Sequence, residues 1–288
     1  MVKIMTSPSE STPLAGIRVA IFEARMAGTT SGLITKFGGV PLSAPALREV
    51  PLGDSPEVTA FADQLLAGEF DVVIFETGVG VRYLAEAIET RIPRTTWLEA
   101  LGRTRVVARG PKPSTVLREF GVKVDVHVPS PNTWHETLAA LDGHIPVAGL
   151  RIALQEYGEP SVELVEGLND RGATVTRVSV YRWALPEDLG PLRAAIVEIA
   201  ERRVDIALFT SAQQVVHLLQ VAAVDGFQQE LRTALETRTI IASIGPTTSE
   251  ALRSHNLPVD IEPDHPKLGH LISAVAAGWR GTGKVSMK

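Results

Sequence analysis

Two kinds of block alternate along the chain. Short apolar or β-branched runs occur at Ile17–Phe22, Val40–Ala44, Val72–Phe75, Ile152–Leu154, Thr174–Val178, Ile206–Phe209 and Ile240–Ile244. A continuous apolar run such as Ile17–Phe22 is the pattern of a parallel strand covered on both faces. Between them lie helical patterns at Gly28–Phe37, Glu57–Leu66, Val81–Ile88, Val162–Asn169 and Leu189–Arg202. In the third, Val81, Leu84, Ala85 and Ile88 fall on one face. The segments Pro45–Pro51 and Ser179–Pro186 fit neither pattern and read as extended connectors. Alternating strands and helices predict doubly wound parallel sheets with helices on both faces, whose ligands bind beyond the carboxyl ends of the strands.

The pattern occurs twice. Val204–Pro263 repeats the order found in Phe70–Pro129: apolar strand, small polar turn, helix, second strand, Gly-Pro turn, short helix, third strand. Asp71 matches Asp205, Gly110-Pro111 matches Gly245-Pro246, and Val122–Val126 matches Leu257–Ile261. The openings after Gly16 and Gly149 match as well, and the offset stays near 134 residues, so a domain-sized unit is present twice. The connectors occupy equivalent places in the two copies, and pairing them would return the C-terminal half to the domain begun at the N-terminus. The expected fold is therefore α/β, with two flavodoxin-like parallel-sheet domains joined by a two-stranded β linker. Its expected parts are a disordered leader over 1–13, one domain from 14–48 plus 183–280, a second from 49–182, and a frayed tail over 281–288.

Composition narrows the chemistry. The 288 residues include no cysteine, which excludes disulfides, thiolate nucleophiles and sulfur-ligated metals. No apolar run approaches the roughly 18 residues of a membrane span, and a cytoplasmic, membrane-free protein is expected. The formal net charge of −5 argues against a nucleic-acid partner. His265 and His270 are five apart rather than the four of a helical metal pair, so no metal is expected.

Three strand-to-helix turns put small hydroxyl residues where helix N–H groups are free: Thr77 before Gly78-Val79-Gly80, Ser211 after Thr210, and Thr247-Thr248 after Gly245-Pro246. Each taken alone reads as a plain cap. Several at strand ends of two like domains favour anion sites, since helix N-termini hold carboxylates and phosphates. Arg109, Gly110 and Lys112 form a fourth turn at a strand's carboxyl end, and Arg25 lies on the equivalent rim of the first strand. These are either a solvated basic surface or ligand contacts. Tyr181, in the second connector, is either a spacer or a phenol able to donate a proton to a leaving group. The glycines match neither the dinucleotide fingerprint nor the P-loop.

These residues resemble the uroporphyrinogen-III synthase family. The likeness rests on IIASIGPTTSEALRSHNLPVDIEP, on the pair IFETGVGVRYL and LFTSAQQVVHLL, and on VSVYRW, and it covers nearly the whole chain after the leader. The resemblance implies a cyclisation of hydroxymethylbilane with no metal or organic cofactor, by a monomer that transiently contacts the preceding deaminase. Loss of the terminal hydroxyl as water gives an azafulvene. The terminal pyrrole then attacks through its substituted carbon and recloses inverted through a spiro intermediate. By the same resemblance Tyr181 matches the family's tyrosine, Ser211 and Thr77 its turn hydroxyls, and Thr248 the second threonine of its GPTT turn. Pro113 departs from the threonine that many members carry in the first repeat, which leaves Arg109 and Lys112 as the expected contacts there. The competing reading is a non-catalytic two-domain binding or sensor protein on the same fold, with a sugar-phosphate enzyme as a weaker rival.

Overall fold

A computed structural model describes residues 12–284. Most of the predicted leader and residues 285–288 of the predicted tail lie outside them. The first repeat comprises β1 (Arg18–Ile21), α1 (Ala27–Lys36), β2 (Val40–Ser43), β3 (Arg48–Pro51), α2 (Pro56–Leu66), β4 (Val72–Phe75), α3 (Gly78–Glu89), α4 (Arg94–Leu101), β5 (Arg105–Ala108), α5 (Pro111–Glu119), β6 (Val126–His127) and α6 (Trp134–His144). The second comprises β7 (Arg151–Gln155), α7 (Val162–Asp170), β8 (Thr174–Val178), β9 (Tyr181–Ala184), α8 (Gly190–Ala200), β10 (Ile206–Phe209), α9 (Ala212–Val224), α10 (Gln228–Thr237), β11 (Ile240–Ser243), α11 (Pro246–Ser254) and α12 (Leu268–Gly278).

Each sheet draws on both repeats. The order β11-β10-β1-β2 makes one sheet and β6-β5-β4-β7-β8 the other, with every named pair within them parallel. Counted from β1 and from β7, both follow the flavodoxin-like order 2-1-3-4-5. The fifth place in the first sheet is only a bridge between Ala242 and Ile261, where the sequence predicted a strand. The chain divides into two compact units: one runs up to Arg48 and resumes at Leu185 (the split unit), and the other is Glu49–Ala184 (the inserted unit). The connectors do pair, as the two-stranded antiparallel sheet β3-β9.

Burial explains the unbroken apolar runs. In the split unit Ala20, Phe22, Ala207, Phe209 and Ile241 face one apolar cluster, while Val19, Ile21, Ile206, Leu208 and Ile240 face another. A strand with helices on both sides has no wet face to mark with polar residues. The inserted unit is built alike, with Val73 and Phe75 on one side and Val72 and Ile74 on the other.

The matched aspartates are backbone devices. Asp71 Oδ2 accepts from Arg151 N–H at 2.8 Å, and Asp205 Oδ2 from Arg18 N–H at 2.9 Å. Asp125 Oδ2 accepts from Val106 N–H at 2.9 Å, and Asp260 Oδ2 from Ile241 N–H at 2.7 Å. Each carboxylate satisfies a donor in the first two residues of a neighbouring strand, Arg18 and Arg151 at the first place and Val106 and Ile241 at the second. The tail departs from expectation in its described part. Trp279–Thr282 forms a 3-10 turn, Trp279 Nε1 donates to Pro13 O at 2.9 Å, and Lys284 Nζ donates to Asp260 Oδ2 at 2.7 Å, so Gly281–Lys284 is tied down rather than frayed.

Candidate functional site

In the inserted unit the register pairs Phe75 with Ala108 and with Gln155, so the residues that follow stand side by side at the carboxyl edge. Those residues are Glu76, Arg109 and Glu156. Glu76 is buried, and Arg109 Nη1 donates to its Oε1 at 2.8 Å while Ser161 Oγ donates to Oε2. Burial pushes the Glu76 carboxyl up from its ordinary value, and the Arg109 charge and the Ser161 hydroxyl oppose that. The Arg109 guanidinium lies over the Tyr157 ring, 4.6 Å from its centre. Burial, helped by the Glu76 charge, pushes the Tyr157 phenol up to about 12.

Glu156 is also buried, and it accepts from Ser161 N–H at 3.1 Å, Arg177 Nε at 2.8 Å and Ser179 Oγ at 3.1 Å. Two buried carboxylates thus hold the loop 156–161. Within that loop Gly158 has φ +91°, and a Cβ there would stand 2.7 Å from the Tyr181 ring. The loop packs flat on Tyr181 because this position carries no side chain.

Tyr181 opens β9 and is buried, with its hydroxyl 3.3 Å from Thr77 Oγ1 and its ring 5.8 Å from that of Tyr83. Thr77 is the N-cap of α3, where its Oγ1 accepts from Gly80 N–H at 3.0 Å. Burial pushes the Tyr181 phenol well above its ordinary range, and the Thr77 bond opposes that. The phenol therefore keeps its proton at neutral pH and is a donor. A tyrosine hydroxyl and a threonine hydroxyl meeting at a helix N-terminus can protonate or hydrogen-bond a leaving oxygen.

Arg109, expected as a ligand contact, is committed to Glu76. Gly78 and Gly80 give up their side-chain space to the protein itself: a Cβ on Gly78 would lie 2.8 Å from Lys112 O, and one on Gly80 would overlap Gln155. Gly110 is the N-cap of α5 at φ +90°, with the Asn132 side chain against it. Lys112 is exposed on the first turn of α5, and Pro113 beside it is buried.

The carboxyl edge of the split unit gathers the other candidates in a different style. Thr210 Oγ1 donates to Glu23 Oε2 at 2.7 Å and accepts from Gln214 Nε2 at 2.9 Å. Arg25 is exposed after β1, and its N–H donates to Glu23 Oε1 at 3.0 Å. Ser211 is the N-cap of α9 but makes no capping bond, and its buried Oγ has no hydrogen-bond partner among the described residues. Gly245 caps α11, with Thr247 exposed and Thr248 buried in the first turn. The His265 and His270 rings lie 5.2 Å apart, tilted by 49°, and among the described residues no group of three His, Cys, Asp or Glu could hold a metal. Nor is any helix among them long and apolar enough to cross a membrane.

The residues that sequence reasoning missed are Glu76, Gln155, Glu156, Ser161 and Arg177. The signal for Glu76 was the repeat itself, which sets a carboxylate where the other copy has Thr210.

The family model for uroporphyrinogen-III synthase HemD matches residues 28–273. The chain belongs to the uroporphyrinogen-III synthase family. It is 32% identical over 250 residues to a Methanothermobacter thermautotrophicus protein provisionally named as a uroporphyrinogen-III synthase, covering 85% of this chain and 91% of that one. It is 29% identical over 266 residues to the uncharacterised Bacillus subtilis protein YjjA, covering 91% and 96%. Among solved structures, a mutant uroporphyrinogen III synthase from the extremely thermophilic bacterium Thermus thermophilus superposes with a TM-score of 0.69 at 26% identity, covering 93% of this chain and 98% of that one. The α/β architecture with two parallel sheets and a two-stranded antiparallel pair matches this family's two-domain fold.

Proposed function

We propose that the chain cyclises hydroxymethylbilane to uroporphyrinogen III, acting as a hydro-lyase in tetrapyrrole biosynthesis. The observation that carries the reading is the Tyr181–Thr77 hydroxyl pair at the N-terminus of α3, within a chain that matches the synthase family over most of its length. The electron-rich pyrrole pushes out the terminal hydroxyl, and Tyr181 supplies the proton that lets it leave as water. Thr77, itself bonded to Gly80 N–H, holds the phenol in place and shares its hydrogen bond. The resulting azafulvene is attacked by the substituted carbon of the terminal pyrrole, and the ring recloses inverted. Such a reaction asks chiefly for a folded, correctly presented chain, a matter of orientation and entropy. In this reading the substrate's carboxylates are met by N–H groups at helix N-terminal turns such as that of α3, and by a cation such as Lys112. Arg109 shapes the site from behind, held by Glu76 and stacked on Tyr157.

The test is a coupled assay with porphobilinogen and the deaminase that precedes this step. Type III uroporphyrinogen is the expected product. Type I alone, the product of spontaneous closure, would leave the chain a binding protein on a synthase fold.

A further inference from the structure

The aspartates at the strand entries align the two units residue by residue. Val106 and Ile241 each donate to the matched aspartate, so Arg103 and Thr104 correspond to Arg238 and Thr239, and Arg105 corresponds to Ile240. In the split unit this place is occupied by the chain's own C-terminal segment. Lys284 Nζ donates to Asp260 Oδ2 at 2.7 Å, to Leu235 O at 2.9 Å and to Thr239 O at 3.4 Å, while Arg238 Nη1 grips Lys284 O at 3.0 Å. An arginine on the wall, holding a peptide carbonyl, seats Lys284, which follows the 3-10 turn Trp279–Thr282, at the amino edge of the sheet.

In the inserted unit the same place is an open cavity of about 430 Å³, walled by Leu98 and Phe120 and rimmed by Arg103, Arg105 and Lys123. The role that Lys284 plays for Asp260 is taken locally: Lys123 Nζ lies 3.0 Å from Asp125 Oδ1. The arginine that corresponds to the gripping one, Arg103, is exposed and donates to the Leu66 carbonyl at 3.3 Å. Arg105 adds an exposed cation where the other unit has buried Ile240. Three cations against one carboxylate, Asp125, make this a positive groove on a chain whose net charge is −5.

We propose that this groove docks an acidic peptide segment of a different protein. The internal precedent fixes the form of the occupant, a stretch of backbone held by an arginine. The exchange of Ile240 and Pro258 for Arg105 and Lys123 fixes its charge. Residues 1–11 and 285–288 do not suit it, since the latter carry Lys288 and the former one lysine and one glutamate. The groove lies at the amino ends of the strands, away from the Tyr181–Thr77 edge, so docking there leaves the proposed chemistry accessible.

The probe is an N-acetylated octapeptide of six glutamates and two leucines, titrated into the full chain and followed by amide shifts. The expected result is saturable binding with shifts centred on residues 98–125, weakened by added salt. Binding should weaken at least about tenfold in the Arg103→Glu/Arg105→Glu variant, where like charges face each other. Both side chains are exposed, so the variant should keep the wild-type melting curve. A glutamine-for-glutamate peptide that binds equally well, an unaffected double variant, or shifts centred elsewhere would overturn the proposal. Citrate displacing the peptide at equal concentration would make this a small-carboxylate site and would also overturn it. Salt- and Arg105-dependent pairing of the chain with itself would reassign the groove to a second copy. None of these readouts depends on turnover, so they stand apart from the coupled assay.

Discussion

The two units agree at one end of their sheets and part company at the other. Where strands enter, both use the same carboxylate bonds, Asp71 and Asp125 in one and Asp205 and Asp260 in the other. Where strands leave, the inserted unit has Glu76 paired with Arg109, and the split unit has Thr210 with Ile244 in the corresponding places. Thr77 caps its helix and meets Tyr181, while Ser211 does neither. The entry bonds answer a need of the backbone that every copy shares. The exits are free of that need, and there the inserted unit concentrates its buried polar groups.

The strongest test of this asymmetry is Tyr181→Phe. It keeps the ring packed against Gly158 and removes only the hydroxyl, so kcat should fall about 10²–10⁴-fold if the phenol is the proton donor. Product should remain mainly type III, because the substrate is folded by other groups. Unchanged kcat would take Tyr181 out of the chemistry, and a switch to type I would make it a positioning residue for the terminal ring.

Next in size is Arg109→Ala. It leaves a buried carboxylate without its counter-charge, and such breaks cost about 3–5 kcal/mol. The melting temperature should drop accordingly. Importing the other unit's solution, Glu76→Thr with Arg109→Ile, should recover most of that loss. The pH dependence follows from the raised carboxyl of Glu76. A carboxyl whose folded value lies above the unfolded one favours folding while protonated and loses that contribution as pH rises through the folded value. Removing Arg109 raises the folded value further. The variant's deficit should therefore be widest at neutral pH and narrow as pH falls toward the ordinary 4.5. A deficit independent of pH would show that lost stacking on Tyr157, not the charge, is responsible.

The shared entry bonds give a smaller and more even effect. Asp205→Ala should cost about 1.5–3 kcal/mol, the range for hydrogen bonds to charged groups. Asp71→Ala should cost less, since its side chain is 38% exposed against 19%. Urea unfolding of both variants would settle the order. Smallest is the contrast between the caps. Thr77→Ala should lose about 1 kcal/mol, whereas Ser211→Ala, whose hydroxyl bonds nothing among the described residues, should lose almost none. Equal losses would mean that the Ser211 hydroxyl has a role that its lack of partners does not reveal.

Much of the frame was readable in the chain. Val72–Phe75 and Ile206–Phe209 coincide with their strands, because a short run buried on both faces leaves an unbroken signature, and Thr174–Val178 coincides as a half-buried edge strand. Helices were less legible. α4 and α12 were overlooked, the first carrying little apolar periodicity and the second being apolar nearly all round. α6 did carry a signal, since Thr133 and Glu136 form a capping box that spacing alone could have announced. The site was half visible. Thr77, Ser211 and Tyr181 stood out by residue type and place. The Glu76–Arg109 pair did not, because its members are 33 residues apart and meet only through the register of β4 and β5. A pattern shows what ends a strand, but which strand lies beside it is settled in three dimensions.

The division of the split unit has a consequence for how the molecule is made. The backbone of Arg18 waits for the carboxylate of Asp205, 187 residues later, before the middle of its sheet can close. The inserted unit is complete once Ala184 has been synthesised. On a ribosome, then, the inserted unit can fold while the first sheet still lacks β10 and β11, and the opening βαβ must keep its apolar strand until those two have emerged. The opening βαβ is thus translated before the inserted unit but finished after it.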